Sequence, residues 1–263
     1  MQSTFLKKLS YYLAAAKALG SLNIKGIPAL PKSLFRNLPY NREHYNQFIC
    51  WMDKLQLSQA NFILDIGANH ADFSEAATAI FPAATVWLFE PLSKLHPELH
   101  RRVATHAPYW TLQPVALGAS ASTMDLHVDP LRDDIASLVG FSDDYKRHTQ
   151  SDDSGTGASC QVLALDDLIS QFPSPFIDLI KIDVEGFEFE VLQGAQKALA
   201  QTKAVIVEVS LMRQAQREGD KLVQMLTVLE QAGLHPVDIL PSWFSATKPW
   251  LPLEFNILAR RNS

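Results

Sequence analysis

The stretch NFILDIGANHADFSEAATAIF, residues 61–81, decides the fold. Phe62 to Ile66 is an apolar run of strand length, and Phe73, Ala76, Ala77, Ile80 and Phe81 recur at helical spacing. Between them lies a short turn holding one glycine and an asparagine. The segment predicts a strand, a tight turn and a helix start. In open α/β sheets that turn, at the carboxyl end of a strand, is where ligands bind.

The same rhythm continues outward. The runs FILDI, TVWLFE, WTLQPVAL, FIDLIKIDV, AVIVEV, HPVDIL and FNILAR alternate with helical patterns, which predicts a doubly wound α/β fold around a mostly parallel sheet. One helix carries Val191, Leu192, Ala195 and Leu199. Another carries Leu222, Met225, Leu226 and Leu229 and stops at Gly233, a residue suited to end a helix. Between Val115 and Leu168 the β-like pieces TMDLHV and CQVLAL flank FSDDYKRHTQSDDSGTGAS, residues 141–159, which reads as a mobile polar loop, either a lid or an ordinary excursion. Residues 1–60, punctuated by Pro28, Pro31 and Pro39, predict a helical and irregular cap, and residues 61–263 the main domain.

A chain of 263 residues, 47% hydrophobic and 19% charged, can bury a full core. Its net charge of −5, with no local basic patch, argues against a nucleic-acid partner. Cys50 and Cys160 show neither metal-ligand spacing nor a disulfide framework and read as free thiols in a reducing cytoplasm. The start MQSTFLKKLSYYLAAAKALG superficially looks like a leader, but Lys17 breaks its apolar part. It predicts an amphipathic helix that packs on its own domain, with a membrane surface as the alternative. No run reaches the roughly 18 apolar residues of a membrane span.

The turn offers only Gly67, where a dinucleotide site wants G-x-G-x-x-G. Asp65 suits a cationic amine, and the amides near Asp72 and Phe73 at the helix start suit a carboxylate. Glu90, ending TVWLFEP, stands where a carboxylate accepts ribose hydroxyls. An amino acid joined to a ribose is S-adenosylmethionine.

Seven elements carry a family resemblance: FILDIGANHADFS, LFEP, VALG (Val115 to Gly118), ASL (Ala136 to Leu138), LDDL (Leu165 to Leu168), IDLIKIDVEGFEFEVLQGA (Ile177 to Ala195) and IVEV (Ile206 to Val209). In this order, over roughly residues 60–260, they resemble the FkbM family of S-adenosylmethionine-dependent methyltransferases. The resemblance implies a class I methyltransferase fold, with a seven-stranded sheet and a reversed last strand. It further implies methylation of hydroxyls on saccharides or other small molecules. By position, Asp65, Gly67, Ala68, Asn69 and Ser74 would surround the methionine end of the cofactor. Glu90, with Pro91 of the same motif, would hold the ribose, and Val115, Ala116 and Leu117 would flank the adenine. One departure is Ala71, where the family usually has glycine. It is expected to turn an added Cβ toward the cofactor and so disturb its pose.

Methyl transfer needs an aligned acceptor and a base for its proton. IKIDVEG puts Lys181 and Asp183 on one side of a strand by period two, as base and partner or as a structural ion pair, and Asp183 is also a candidate cofactor contact. Glu208, ending AVIVEV, is the next candidate base. A divalent metal held by Asp183 and Glu208 is the less favoured option. Glu185, in the turn beyond, and His70 are candidate acceptor contacts. So are Trp243 and Phe244, with Trp250, in the loop expected from Pro241 to Pro252. Tyr40, Arg42, His44 and Tyr45 are expected to cap the site. The competing readings are a nucleotide-dependent oxidoreductase and a cofactor-binding or scaffold protein without turnover. Self-association is left open.

Overall fold

The structure, a computed structural model, describes residues 42–129, 136–140, 156–210, 221–244 and 252–262. The expected N-terminal helix, the three prolines, Tyr40, Trp250 and residues 141–155 of the polar loop lie outside them. So do the side chains of Arg42, His44, Tyr45, Trp243 and Phe244.

The quoted stretch folds as strand β1 (Phe62–Ile66), a turn and helix α2 (Asp72–Ile80), preceded by α1 (Arg42–Leu55). All five residues of β1 are buried, as an unbroken apolar run in the middle of a parallel sheet requires. The chain continues through β2 (Thr85–Phe89), α3 (His96–Thr105) and β3 (Trp110–Gln113). Next come β4 (Ala116–Leu117), β5 (Ser122–Val128), β6 (Ala136–Ser137) and β7 (Thr156–Leu163). Then follow β8 (Ile177–Ile182), α4 (Glu188–Gln193), α5 (Gln196–Ala200), β9 (Thr202–Ser210), α6 (Lys221–Gln231), β10 (Leu234–Phe244) and β11 (Pro252–Arg261).

The main sheet has seven strands in the order β10-β11-β9-β8-β1-β2-β3. Strands β9, β8, β1, β2 and β3 run parallel, and β11 enters antiparallel between β10 and β9. This is the class I topology with its reversed last strand. Alternate strand residues feed two cores, because successive side chains of a strand leave on opposite faces. Ile63, Leu179, Ile206 and Leu258 pack with Phe48 of α1, Ala77 of α2 and Leu99 of α3. Leu64, Ile180, Val207 and Ile257 pack with Val191 of α4, Leu199 of α5 and Met225 of α6. The fold is therefore doubly wound. Phe48 joins α1 to the first layer, its ring 5.2 Å from Phe73 and 6.3 Å from Phe81 in edge contacts.

Four sequence expectations change, each for a local reason. WTLQPVAL is two strands in different sheets, because Pro114 has no amide for a ladder. The helix over 191–199 divides into α4 and α5 at Gly194, whose backbone lies so close to the Gly118 carbonyl that a Cβ would come within 2.0 Å of that oxygen. Residues 156–159, read as part of the polar loop, belong to β7. The expected loop from Pro241 to Pro252 is shorter, since β10 runs to Phe244 and β11 starts at Pro252.

The interrupted region forms a second sheet, β4-β7-β5-β6. It supplies one wall of the cleft described below.

Candidate active site

The β1 turn is shaped by left-handed backbone at alternate positions: Gly67 at φ 76°, Asn69 at 47° and Ala71 at 63°. Glycine is required at 67, where a Cβ would lie 1.8 Å from the carbonyl oxygen of Asp183 in the turn after β8. The turns after β1 and β8 thus approach each other backbone to backbone. The amides of Gly67 and Ala68 both donate to the Phe89 carbonyl at 3.0 Å, which ties the turn to the end of β2.

Glu90 follows β2, and its carboxylate accepts the Asn69 amide at 2.7 Å and the Leu92 amide at 2.8 Å. Burial pushes this carboxyl up to about 6 against the pull of those two amides. Each oxygen keeps further lone-pair capacity for a ligand hydroxyl.

Asp65 has no solvent exposure. Ser74 Oγ donates to its Oδ2 at 2.6 Å, and Lys181 Nζ stands 3.6 Å from its Oδ1. Burial raises its carboxyl, opposed first by Lys181. Asp65 is not among the residues lining the cleft, where the sequence reading expected it to meet a ligand amine; its carboxylate faces Ser74 and Lys181 instead. That lysine donates to the Gly67 carbonyl at 3.1 Å and lies 3.2 Å from Asp183 Oδ2. Burial alone would lower its ammonium, but Asp183 and Asp65 outweigh this and hold it above the ordinary range.

Past β8 the carboxylates gather. One oxygen each of Asp183, Glu185 and Glu208 lie within 4.8 Å of one another, close enough to share a proton or a hard divalent cation. Burial, then Asp183 and Glu254, raise the Glu208 carboxyl well above the ordinary carboxylate range. Two like charges so near do not both ionise readily, and it is Asp183 that has the Lys181 ammonium at 3.2 Å.

The cleft lies between these turns. Gly67, Asn69, Glu90 and Pro91 line one side, Lys181, Asp183, Val184 and Glu185 the other, and Val115, Ala116, Leu117, Leu126, Ala136 and Leu138 an apolar end. Eight of the cofactor candidates thus meet in one place. Ala68, Asp72, Phe73 and Ser74 are not among the lining residues. Ala68 is buried under the turn, Ser74 holds Asp65, Asp72 opens α2 facing Arg102 at 3.8 Å, and the Phe73 ring lies 5.9 Å from Lys181 Nζ. His70 is turned toward α3, with Nδ1 3.0 Å from Glu98 Oε2. Trp243 and Phe244 sit at the carboxyl end of β10, their backbones opposite Glu254 and Pro252.

The expected intrusion of Ala71 into the cofactor turn is not seen. Its methyl is fully buried in the core shared with α1 and α2, so the cost of alanine here is backbone strain and not a blocked site.

Some residues of the cleft and its turns have no role in the sequence reading, which quotes Ala136 and Leu138 only as part of the ASL motif. Leu126, Ala136 and Leu138 come from the second sheet. Glu188 accepts the amides of Gly186 at 2.9 Å and Val184 at 3.2 Å and so fixes the turn after β8. Its signal was a carboxylate at a helix start. Glu254 and Asn256, both buried, stand in register with Ser210 and Glu208, and their signal was polar residues at period two in the apolar strand LEFNIL.

Comparison with known proteins gives the family. The methyltransferase FkbM domain matches residues 65–235. The hexuronic acid methyltransferase AglP of Haloferax volcanii is 27% identical over 157 residues, which is 59% of this chain and 58% of that protein. The AMB antimetabolite synthetase AmbE of Pseudomonas aeruginosa is 23% identical over 234 residues, 79% of this chain but 10% of that protein. The chain therefore spans less than two thirds of either curated relative. A solved S-adenosylmethionine-dependent methyltransferase from Clostridium acetobutylicum aligns with 86% of this chain and 94% of its own, at 10% identity and a TM-score of 0.47. With the domain matched over most of its length and the topology to go with it, the chain belongs to the FkbM methyltransferase family.

Proposed function

We propose that the protein transfers a methyl group from S-adenosylmethionine to a hydroxyl of a saccharide or a related small molecule. The observation that carries this reading is the opening of a carboxylate cluster onto the same cleft as Glu90 and an apolar end. The donor set fits the cofactor. Glu90 is a buried carboxylate with open lone pairs for vicinal hydroxyls, Val115, Leu117, Leu126 and Leu138 form an apolar slot for a purine, and Gly67 and Asn69 bound the methionine end. When bound, the cofactor supplies an electrophilic methyl on a sulfonium, which carries the difficult chemistry.

The chain's own residues align the acceptor and take its proton. Asp183 accepts the hydroxyl proton: the Lys181 ammonium 3.2 Å away favours a charged carboxylate there, whereas burial disfavours one at Glu208. Glu185, lining the cleft beside it, orients the acceptor. Lys181 and its buried partner Asp65 fix both turns. A divalent metal on Asp183 and Glu208 remains the less favoured reading, since the ammonium of Lys181 already neutralises Asp183. The hexuronic acid specificity of AglP supports a sugar acceptor.

Residues 61–263 act as the catalytic domain, with residues 1–60 as a cap whose α1 packs on it. No helix among the described residues is long and apolar enough to cross a membrane. The free thiols Cys50 and Cys160 support a cytoplasmic setting.

The test is calorimetric titration of S-adenosylmethionine into the protein, with NAD as control, followed by transfer of labelled methyl to a panel of hexoses and hexuronic acids. Binding without an NAD signal, and label in a sugar product, is expected. Binding of NAD in place of S-adenosylmethionine would overturn the reading.

A further inference from the structure

The three residues Ala136-Ser137-Leu138 are the ASL stretch of the family resemblance, and Ser137 is its polar member. They form and follow the short strand β6, whose Ser137 is paired with His127 of β5. Ala136 and Leu138 line the cleft. Ser137, between them, is 1% exposed, and its hydroxyl donates to the Glu185 carbonyl at 2.7 Å while accepting the Val139 amide at 3.2 Å.

Glu185 is a non-glycine residue in the left-handed region, at φ 59°, followed by Gly186 at 104°. Such a backbone persists only where surrounding contacts over-determine it. From the far side, Glu188 holds the amides of Val184 and Gly186. From the near side, Ser137, which comes from the other sheet, donates to the Glu185 carbonyl. The two contacts together clamp the turn that sets the carboxylate of Glu185 against Asp183 and Glu208.

We propose that Ser137 is a positioning residue for methyl transfer: it latches the second sheet onto the turn after β8 and holds Glu185 where the acceptor must be aligned. The catalytic part of this inference rests on the methyl-transfer reading above. The latch itself does not. Loss of the hydroxyl frees the Glu185 carbonyl and lets the turn relax toward ordinary backbone, while Glu90 and the apolar end of the cleft are untouched. Acceptor alignment is lost and cofactor affinity is kept.

The experiment uses the full chain and its Ser137→Ala and Ser137→Thr variants. Amide hydrogen exchange of the peptide covering residues 183–188 is expected to quicken about fivefold or more in Ser137→Ala and to return toward wild type in Ser137→Thr. S-adenosylmethionine affinity should stay within about twofold. With a hexuronic acid as acceptor, kcat should fall about tenfold or more in the alanine variant and recover in the threonine variant. Faster exchange with unchanged kcat would reduce Ser137 to a structural contact and overturn the proposal, as would weakened cofactor binding that accounts for the lost rate. If the wild type methylates no sugar, that failure belongs to the acceptor reading, and exchange alone decides the latch. Faster exchange confined to this peptide and restored by threonine upholds it, and an unchanged peptide overturns it.

Discussion

Asp65 and Lys181 are direct register partners on the adjacent parallel strands β1 and β8, with Nζ 3.6 Å from Oδ1 of a carboxylate that has no solvent exposure. The pair sits where the two ligand-bearing turns begin, and Lys181 also reaches the carbonyl of Gly67 and the carboxylate of Asp183. One ammonium therefore serves three oxygens, one on β1 and one in each of the turns after β1 and β8. Its removal strands a buried negative charge.

Lys181→Met is accordingly expected to destabilise the fold by about 3–5 kcal/mol, the cost of breaking a buried pair from one side. Adding Asp65→Asn to the same chain removes the stranded charge and should restore part of that loss. Chemical denaturation of wild type, single and double variants checks this, and two losses that simply add would show that the residues do not act as a pair.

The carboxylate cluster leads to a second expectation. Asp183→Asn removes the carboxylate beside Lys181 and should lower kcat by about 10²- to 10⁴-fold with S-adenosylmethionine affinity held within about tenfold. Glu208→Gln puts a neutral side chain where burial already disfavours a charged carboxylate, so its loss should be much smaller. Single-turnover rates of both variants against the same acceptor decide it, and equal losses would make the assignment of the base to Asp183 untenable.

Stability should fall as pH rises. Glu188 is 2% exposed, and burial pushes its carboxyl up to about 7 from an ordinary 4.5. The folded chain keeps that proton up to about pH 7, while the unfolded chain releases it near 4.5, so the folded state binds more protons in this window. The linkage sign makes unfolding easier as pH climbs from about 4.5 to 7, by up to about 3 kcal/mol for this group. Glu90, pushed up to about 6, adds in the same direction. Glu188→Gln, which keeps an acceptor oxygen for the Gly186 and Val184 amides, should flatten the profile and melt higher than wild type at pH 8. Thermal melts across pH 5 to 8 test both statements.

The parts legible in the sequence share one property: their signal is local and periodic. The run from Phe62 to Ile66, the helix after it, and Glu90 at the end of TVWLF could be read because period and polarity coincide within a few residues. Lys181 and Asp183 were legible as charges in an apolar run. The inner arrangement was not. Asp65 looked like a ligand contact, since sequence shows an acid at a strand end but not the lysine beside it on a strand more than a hundred residues later. The wall formed by Leu126, Ala136 and Leu138 depends on how a second sheet folds over the first, and nothing in those short runs specifies that packing. The split of the helix at Gly194 depends on the approach of Gly118, a contact between distant segments.

Ala71 illustrates the same limit and yields the last prediction. Read against its family, an alanine in place of glycine suggests a methyl thrust at the cofactor. In the fold, the backbone at φ 63° turns the methyl into the core with Phe48 and Phe81, and its own amide donates to the Ala68 carbonyl. Ala71→Gly would relieve left-handed strain of about 1–2 kcal/mol. It would also remove a buried methyl worth about 0.8 kcal/mol and add freedom to the unfolded chain. These terms nearly cancel, so the melting temperature should move by no more than about 4 °C. S-adenosylmethionine affinity should stay within about twofold of wild type, since nothing in the cleft changes. Calorimetry on the variant reads this directly: a tenfold gain in affinity would mean that the methyl does reach the cofactor, and that the turn opens toward the core less than its buried alanine indicates.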